Sequence, residues 1–387
     1  MQPVCQEVEQ HPGALVAVQP SAAPRKRFLE EMAFRHGQYY DSYLATDSDR
    51  ETFWSRDGQG AVAFVRVGRY LNVGGGLLAS ERHRESLLAE VIAAADRRGE
   101  VLSFYNVAES DLPLFRDYGF QATKLGEEAA IDLDCWDCRG KSFEWLRRQV
   151  NFCRRQGLTT AEAVREDYSP PGWSSLVAEL AEVSAGFLAA KPQAVELRFL
   201  DGAFHPHALG RRRVFVARAK TGRIEGFLAC NPYRNGAGWA FEIYRQRPDA
   251  VRGTIPFLMH ETMRALQAEN APRISLCLVP GLRTDDALPG DSPLVRRGLM
   301  LGSRYFSFIF DTAGLYHFKS RFRPSFESRY LCARPKVTLG SAWSLVRLLG
   351  VLELDGGKMA RVITRRLWRH GRRATLAVPD PSPPRPG

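Results

Sequence analysis

The sequence predicts an α/β protein made of two similar mixed-sheet units in series, joined by a bridging helix. At 387 residues the chain exceeds one comfortable core and suits two domains of roughly 100 to 200 residues. Hydrophobic residues at 44% and charged residues at 25% are ordinary for a globular protein with sizeable cores. The same order of strand and helix patterns also occurs twice.

In the first unit, residues 28–140, Gly60 to Leu78 holds two β-rich runs, AVAFVRV and YLNVGGGLL. An amphipathic helix follows from Ser80 to Arg98, with Leu87, Leu88, Val91 and Ile92 on its apolar face. Val101 to Val107 reads as a buried strand, Glu109 to Tyr118 as a short helix stopped by Gly119, and Ala129 to Leu133 as a closing strand. Residues 141–170 form the bridge and linker. Its helix, Ser142 to Gly157, places Phe143, Leu146, Val150 and Cys153 on one side and turns its arginines outward.

The second unit, residues 171–335, opens with a helix from Gly172 to Leu188. Strands are expected at Arg213 to Ala219, Glu225 to Asn231 and Trp239 to Tyr244, then a helix at Thr254 to Ala268 and a strand at Arg273 to Val279. A strand at Tyr305 to Phe310 and a short helix from Ala313 end the pattern. Residues 1–27 and 374–387 read as disordered tails, and 336–373 as a basic amphipathic segment.

The formal charge of +11 favours anionic partners. The arginines cluster: Arg147, Arg148, Arg154 and Arg155 on the bridging helix, and Arg211, Arg212 and Arg213 in a row. The seven cysteines are scattered among apolar neighbours, as for reduced thiols of a cytoplasmic protein. Cys135 and Cys138 have knuckle spacing without a second ligand pair, so no metal site is expected. The N-terminus has neither a signal-peptide pattern nor a span, and Ala342 to Leu354 is too short to cross a bilayer. Within 341–373, apolar Trp343, Leu345, Leu348, Leu349 and Leu352 precede a run from Lys358 to Arg373 that contains no acid. That pattern fits a peripheral contact with the inner face of the cytoplasmic membrane, or a packed helix with its basic face in water.

Two segments carry the chemistry. Trp239 to Leu258 runs from a strand ending in charges through a Pro/Gly loop into a helix, whose N-terminus favours an anion. Alternation puts Glu242 and Tyr244 on one strand face and Arg245 on the other, so that Glu242 and Arg245 meet only where the strand bends. An edge-strand salt bridge is the plainer alternative. In Gly314 to Leu331, Lys319, Arg321 and Arg323 recur at spacing two, and an extended chain aligns them toward something anionic. Three other strings carry nothing: Gly74 to Gly76 lacks the Walker continuation, His205 and His207 lack a ligating partner, and Asp285-Asp286 sits in a Pro/Gly loop.

These residues resemble the soluble catalytic region of the lysyl- and alanyl-phosphatidylglycerol synthases. That family's acidic-x-x-Arg and Gly-Thr pattern is similar to Glu242-Ile-Tyr-Arg245 through Gly253-Thr254. Its final signature is similar to Phe318-Lys-Ser-Arg-Phe-Arg-Pro-Ser-Phe-Glu-Ser-Arg-Tyr-Leu331. Further matches are Gly74 to Leu78, Phe104-Tyr105-Asn106, Gly119-Phe120 and Lys124 to Ala129, so the likeness spans roughly residues 35–331. Glu242 stands where the family commonly has Asp, Arg321 and Phe326 replace a Lys and a Trp, and the multi-helix flippase domain has no counterpart here.

The resemblance implies tandem acetyltransferase-like (GNAT-type) domains. It implies an aminoacyltransferase that takes its donor, aminoacyl-tRNA, from one side of a junction and a lipid or small hydroxyl or amine acceptor from the other. No cofactor or stable protein partner is implied. Glu242 takes the acceptor's proton or holds the aminoacyl ammonium, while Arg245 and Lys319 face the ester and the terminal phosphates. Tyr244, Arg252, Gly253, Thr254, Arg321, Arg323 and Glu327 join the substrate site, and Lys124, Glu127 and Glu128 line the junction or pair structurally. The two arginine clusters take tRNA phosphates. The competing readings are an acyl-CoA-dependent N-acyltransferase, whose dense glycine loop RQRPDAVRGT lacks, and an inactive tRNA- or membrane-binding relative.

Overall fold

The computed structural model describes residues 22–190, 204, 209–284, 290–293, 295–298 and 312–348. The first half contains α1 (Ala22–His36), β1 (Glu51–Trp54), β2 (Gly60–Val67), β3 (Tyr70–Val73), β4 (Leu78–Ala79), α2 (Glu81–Arg97), β5 (Val101–Ala108), α3 (Leu112–Asp117) and β6 (Gln121–Asp132). Then come α4 (Glu144–Arg155), β7 (Thr159–Glu162), α5 (Pro170–Ala190), β8 (Arg213–Arg218), β9 (Ile224–Tyr233), β10 (Gly238–Gln246), α6 (Thr254–Ala268), β11 (Arg273–Pro280), α7 (Thr312–Ser320), β12 (Ser325–Arg334) and α8 (Leu339–Leu348).

Each half is an antiparallel meander, a crossover helix (α2 or α6), a parallel strand, a second helix and a last antiparallel strand. The two halves share one 12-stranded sheet, in the order β1-β2-β3-β5-β12-β6-β11-β10-β9-β8-β7 with β4 against β2. Their last strands have changed places. β12 lies between β5 and β6, and β6 pairs with β11.

Apolar faces explain the layers. Leu87, Leu88, Val91 and Ile92 of α2 pack with Phe104, Phe115 and Phe120 over the first half. Leu146, Val150 and Cys153 of α4 pack with Phe257, Leu258 and Met263 of α6 and with Ile131 and Leu133 of β6, so α4 covers the seam between the halves as its pattern predicts. Leu176, Leu180 and Val183 of α5 cover the opposite face of the second half. At the start of α6, Gly253 is left-handed (φ +90), and a Cβ there would lie 2.7 Å from the Gln149 amide oxygen of α4. Gly126 allows β6 to approach β11, since a Cβ there would sit 2.3 Å from the Val279 carbonyl.

Three boundaries differ from expectation. α1 begins inside the stretch read as a tail, because Leu29, Met32 and Ala33 share one helical face and bury against Tyr43, Ala61 and Leu78. β6 starts at Gln121 rather than Ala129, its polar first half being held between two strands that supply charged partners. Lys319 closes α7, Arg321 follows in a turn, and Arg323 is left-handed at φ 57, so these cations form no aligned row. The strand at Tyr305 to Phe310, His205, His207, Asp285, Asp286 and residues 349–387 lie outside the described residues.

Phe241 is fully buried in the core between β10, α4 and α6. Phe241→Ala is expected to lower unfolding stability by about 3–5 kcal/mol, which urea or guanidinium titration measures.

Candidate active site

β10 and β11 are parallel neighbours for only three positions, Gly238↔Arg273, Trp239↔Ile274 and Ala240↔Ser275. Both strands run on, to Gln246 and Pro280, without further pairing to each other. Each also breaks register against its outer neighbour, β10 between Phe241 and Ile243 and β11 between Ser275 and Leu278. The sheet therefore opens at the carboxyl ends of its parallel strands, the part of an α/β sheet where ligands gain access to backbone and side chains.

Glu242 and Cys277 occupy the two breaks. Cys277 is left-handed (φ 64), its N–H donates to Ser275 Oγ at 3.0 Å, and its Sγ lies 3.6 Å from the Phe241 carbonyl and 3.7 Å from Glu242 Oε2. Lys319, 4% exposed, donates from Nζ to the carbonyls of Cys277 (3.2 Å) and Leu278 (2.9 Å). It acts as a clamp on the open end of β11. These two carbonyl dipoles help to hold its buried ammonium.

The first half reaches this gap through Tyr40, on the loop after α1. Tyr40 is buried and packs with Tyr233, Ala240, Leu278 and Cys277. Burial, then the neighbouring acidic groups of Asp41, Cys277, Glu242 and Glu128, pushes its phenol well above the usual range, so it stays a hydrogen-bond donor. Nearby polar atoms are buried without a partner among the described residues: the Tyr233 hydroxyl on β9, and Oδ1 of both Asp41 and Asn106. Such groups call for water or a ligand. Asp41 Oδ2 accepts from Asn106 Nδ2 at 2.8 Å and from the Gly75 N–H at 3.2 Å.

Beside the gap, the exchanged strands carry a ladder of charges. Lys124 donates to Glu127 at 2.7 Å, Arg283 to Glu127 at 3.0 Å, and Arg329 to Glu128 at 2.7 Å through Nε and to Glu327 at 3.3 Å. Arg273 completes it on Glu327. Although burial opposes its charge, the neighbouring Glu128 holds Arg329 even more firmly protonated than usual. Lys124, Glu127, Glu128 and Glu327 thus come together at the junction as a structural network.

Other expected residues make contacts of their own. Arg245 is 6% exposed and bonds Ser184 Oγ on α5, while Tyr244 stacks toward Phe318 with centroids 5.9 Å apart. Glu242 Oε2 lies 3.7 Å from Cys277 Sγ, and β10 is an inner strand between β9 and β11 rather than an edge. Thr254 is buried and donates its hydroxyl to the Val251 carbonyl at 2.7 Å, and Arg252 is exposed beside it.

Arg211, Arg212 and Arg213 leave the phosphate-binding set. They pair with Glu31 (2.5 Å), with Asp47 (2.6 Å), and with Glu162 and Glu269, tying β8 to α1 and its neighbours. On α4, Arg147 is used on the Cys138 and Gly140 carbonyls, Arg154 on Glu261 and Arg148 on Glu144, while Arg155 is exposed. Arg321 lies over the Trp145 ring at 5.1 Å, Arg323 reaches the Ser142 carbonyl at 3.4 Å, and the Arg252 carbonyl meets Cys153 Sγ at 3.5 Å. Arg252, Arg321 and Arg323 thus lie beside α4 and the turn before it.

Sequence reasoning missed Tyr40, Asp41, Tyr233 and Cys277. Three belong to long-range packing with no local pattern, and Cys277 reads as one more apolar strand position until the register break turns it. Asp41 supplies a test. Burial, partly offset by its hydrogen bonds, raises its carboxyl from 3.8 to about 6. As pH rises from about 4 to 6 the unfolded chain releases this proton first, so stability should fall by roughly 3 kcal/mol over that window and level off above it. Asp41→Asn keeps the acceptor oxygen and has no proton to lose. The stability difference between the two proteins, measured by denaturant titration at several pH values, should slope between pH 4 and 6; a flat difference refutes the buried acid.

Residues 30–333 match the family model described as phosphatidylglycerol lysyltransferase, C-terminal. Among curated relatives, the phosphatidylglycerol lysyltransferase of Bacillus subtilis is 26% identical over 316 residues, 81% of this chain and 36% of that protein. That of Staphylococcus epidermidis is 23% identical over 323 residues, 82% of this chain and 36% of the relative. The chain thus spans about a third of the length of these relatives. The solved structure of L-PGS from Bacillus licheniformis superposes with a TM-score of 0.70 at 25% identity, over 87% of this chain and 99% of that one. A C-terminal domain from Agrobacterium fabrum gives 0.69 at 24% identity, covering 84% of this chain and 96% of that one, and shares the fold. With tandem acetyltransferase-like halves and a family match over most of its length, this chain belongs to the phosphatidylglycerol lysyltransferase C-terminal family.

Proposed function

We propose that the chain is an aminoacyltransferase that moves an amino acid from tRNA to phosphatidylglycerol or to another hydroxyl or amine acceptor. The observation that carries this reading is the placement of Glu242: an ionisable side chain in the opening between β10 and β11, faced by Tyr40 from the other half. Aminoacyl-tRNA is an activated ester, so the protein's work is to position, move a proton and stabilise charge, with no separate cofactor in this scheme. The acceptor hydroxyl loses its proton as its oxygen attacks the ester carbonyl; the bond to the terminal ribose oxygen breaks, and that oxygen takes up a proton. Glu242 serves as the base for the first proton or as the anchor of the aminoacyl ammonium. Tyr40, held protonated, supplies a hydrogen bond at the junction. The tRNA end lies near α4, where Arg148, Arg155, Arg252 and Arg323 are exposed.

Glu242→Gln preserves shape and removes the charge that both roles need. Transfer of labelled amino acid from charged tRNA into a lipid or soluble product is expected to fall by about 10²–10⁴-fold. Full activity in the variant would remove Glu242 from the mechanism. Transfer from acetyl-CoA alone would replace the whole reading.

The acceptor side favours a membrane surface. No helix among the described residues is long and apolar enough to cross a bilayer. α8 nevertheless turns Leu339 (76% exposed) and Trp343 (54%) outward, with Lys336 and Arg347 exposed on the same stripe. Its other face is fixed by Leu345 and by Asn72, which donates to Ser344 Oγ at 2.8 Å. In this reading the protein works in the cytoplasm, with α8 seated on the inner face of the membrane. Trp343→Ala should reduce cosedimentation with phosphatidylglycerol vesicles several-fold; equal binding to neutral and anionic vesicles by the parent protein would rule the contact out.

A further inference from the structure

We infer that Cys277 is a positioning residue for Glu242, a role that rests on the placement of Glu242 in the transfer reaction proposed above. Three independent features set the thiol where it is. β11 breaks register between Ser275 and Leu278, which turns Cys277 out of the ladder. Its backbone is left-handed at φ 64, a conformation that residues with a side chain adopt only when the surroundings impose it. Here the surroundings are Ser275 Oγ, which takes the N–H at 3.0 Å, and Lys319, which clamps the carbonyls of Cys277 and Leu278 at 3.2 and 2.9 Å.

The result is a thiol whose Sγ lies 3.7 Å from Glu242 Oε2 and 3.6 Å from the Phe241 carbonyl, the residue just before Glu242. It meets the carboxylate and its backbone at once, across a gap where no ladder joins β10 to β11. The S–H donates into this pair of acceptors, a weak hydrogen bond with a defined direction. Among the described residues, ionisable groups near the thiol include Tyr40 on the loop after α1, Tyr233 on β9, Glu128 on β6 and Lys319 on α7. Glu242 is the carboxylate that the thiol touches. Cys277 helps to fix its direction, and Lys319 holds the Cys277 backbone in place.

Two measurements test this on the whole chain. The first needs no transfer activity: the rate of alkylation of Cys277 by iodoacetamide at neutral pH, read by peptide mass spectrometry. A carboxylate beside the thiol disfavours the reactive thiolate, so Glu242→Gln should speed alkylation about tenfold, the equivalent of one pH unit in thiol ionisation. The exposed thiol of Cys135 should react at an unchanged rate and serves as the internal reference. An unchanged Cys277 rate overturns the coupling. The second is aminoacyl transfer. Cys277→Ala should lower kcat about ten- to a hundredfold, the effect of misdirecting a reacting group, with KM for aminoacyl-tRNA unchanged, and Cys277→Ser should recover part of the loss by restoring a donor. Equal kcat for Cys277→Ala and the parent overturns the positioning role even if Glu242→Gln is inactive. If the parent transfers nothing from tRNA, the proposed function falls, and the alkylation comparison still decides whether Cys277 and Glu242 are coupled.

Discussion

The buried pair of Arg329 and Glu128 is the constraint on which the rest of the site depends. It joins β12 to β6 where the last strands of the two halves lie side by side, with both side chains nearly inaccessible to water. A charge pair of this kind adds little net stability, because desolvation offsets much of its attraction, but a slipped register would leave one charge buried alone. Glu327, Arg273, Glu127, Lys124 and Arg283 extend the same logic outward. With β6 and β12 pinned, β11 is held on one side and released on the other, and the opening beside β10 has a fixed rim.

That opening uses polar groups in a way that separates support from chemistry. Lys319 spends its charge on backbone carbonyls, and Arg245 is drawn to the α5 side by Ser184. Ionisable groups beside the carboxylate include Cys277 and Tyr40, supplied by different halves. A reaction centre assembled this way needs the two halves docked in one geometry, which the continuous sheet provides.

Local pattern made much of the fold legible. The helix α6 begins at Thr254 and ends at Ala268 as its apolar spacing and flanking Gly253 and Asn270 indicate, and α2, β5 and β8 to β11 fall within a residue or three of their patterns. The motif around Glu242 was readable because the spacing of its acid, Arg245 and Gly253-Thr254 is similar to the family pattern. Geometry was not readable where one residue changes the alternation: the breaks at Glu242 and Cys277 have no sequence signature, since a register break is decided by the neighbouring strands. The arginine triplet misled for a related reason. Consecutive cations look like a surface for phosphates, but Glu31, Asp47, Glu162 and Glu269, distant in sequence, neutralise Arg211, Arg212 and Arg213 within the fold.

The exchanged last strands also have a consequence in time. During synthesis β5 leaves the ribosome more than two hundred residues before β12, its partner in the finished sheet. At about 5–20 residues per second, that edge waits on the order of ten to forty seconds for its neighbour. The first half cannot close its sheet as an independent unit while it waits, and contacts so far apart in the chain form slowly. An unsatisfied strand edge is a template for pairing with the wrong chain. The same exchange that aligns the reaction centre therefore makes the nascent protein dependent on whatever shields β5 until the final strand arrives.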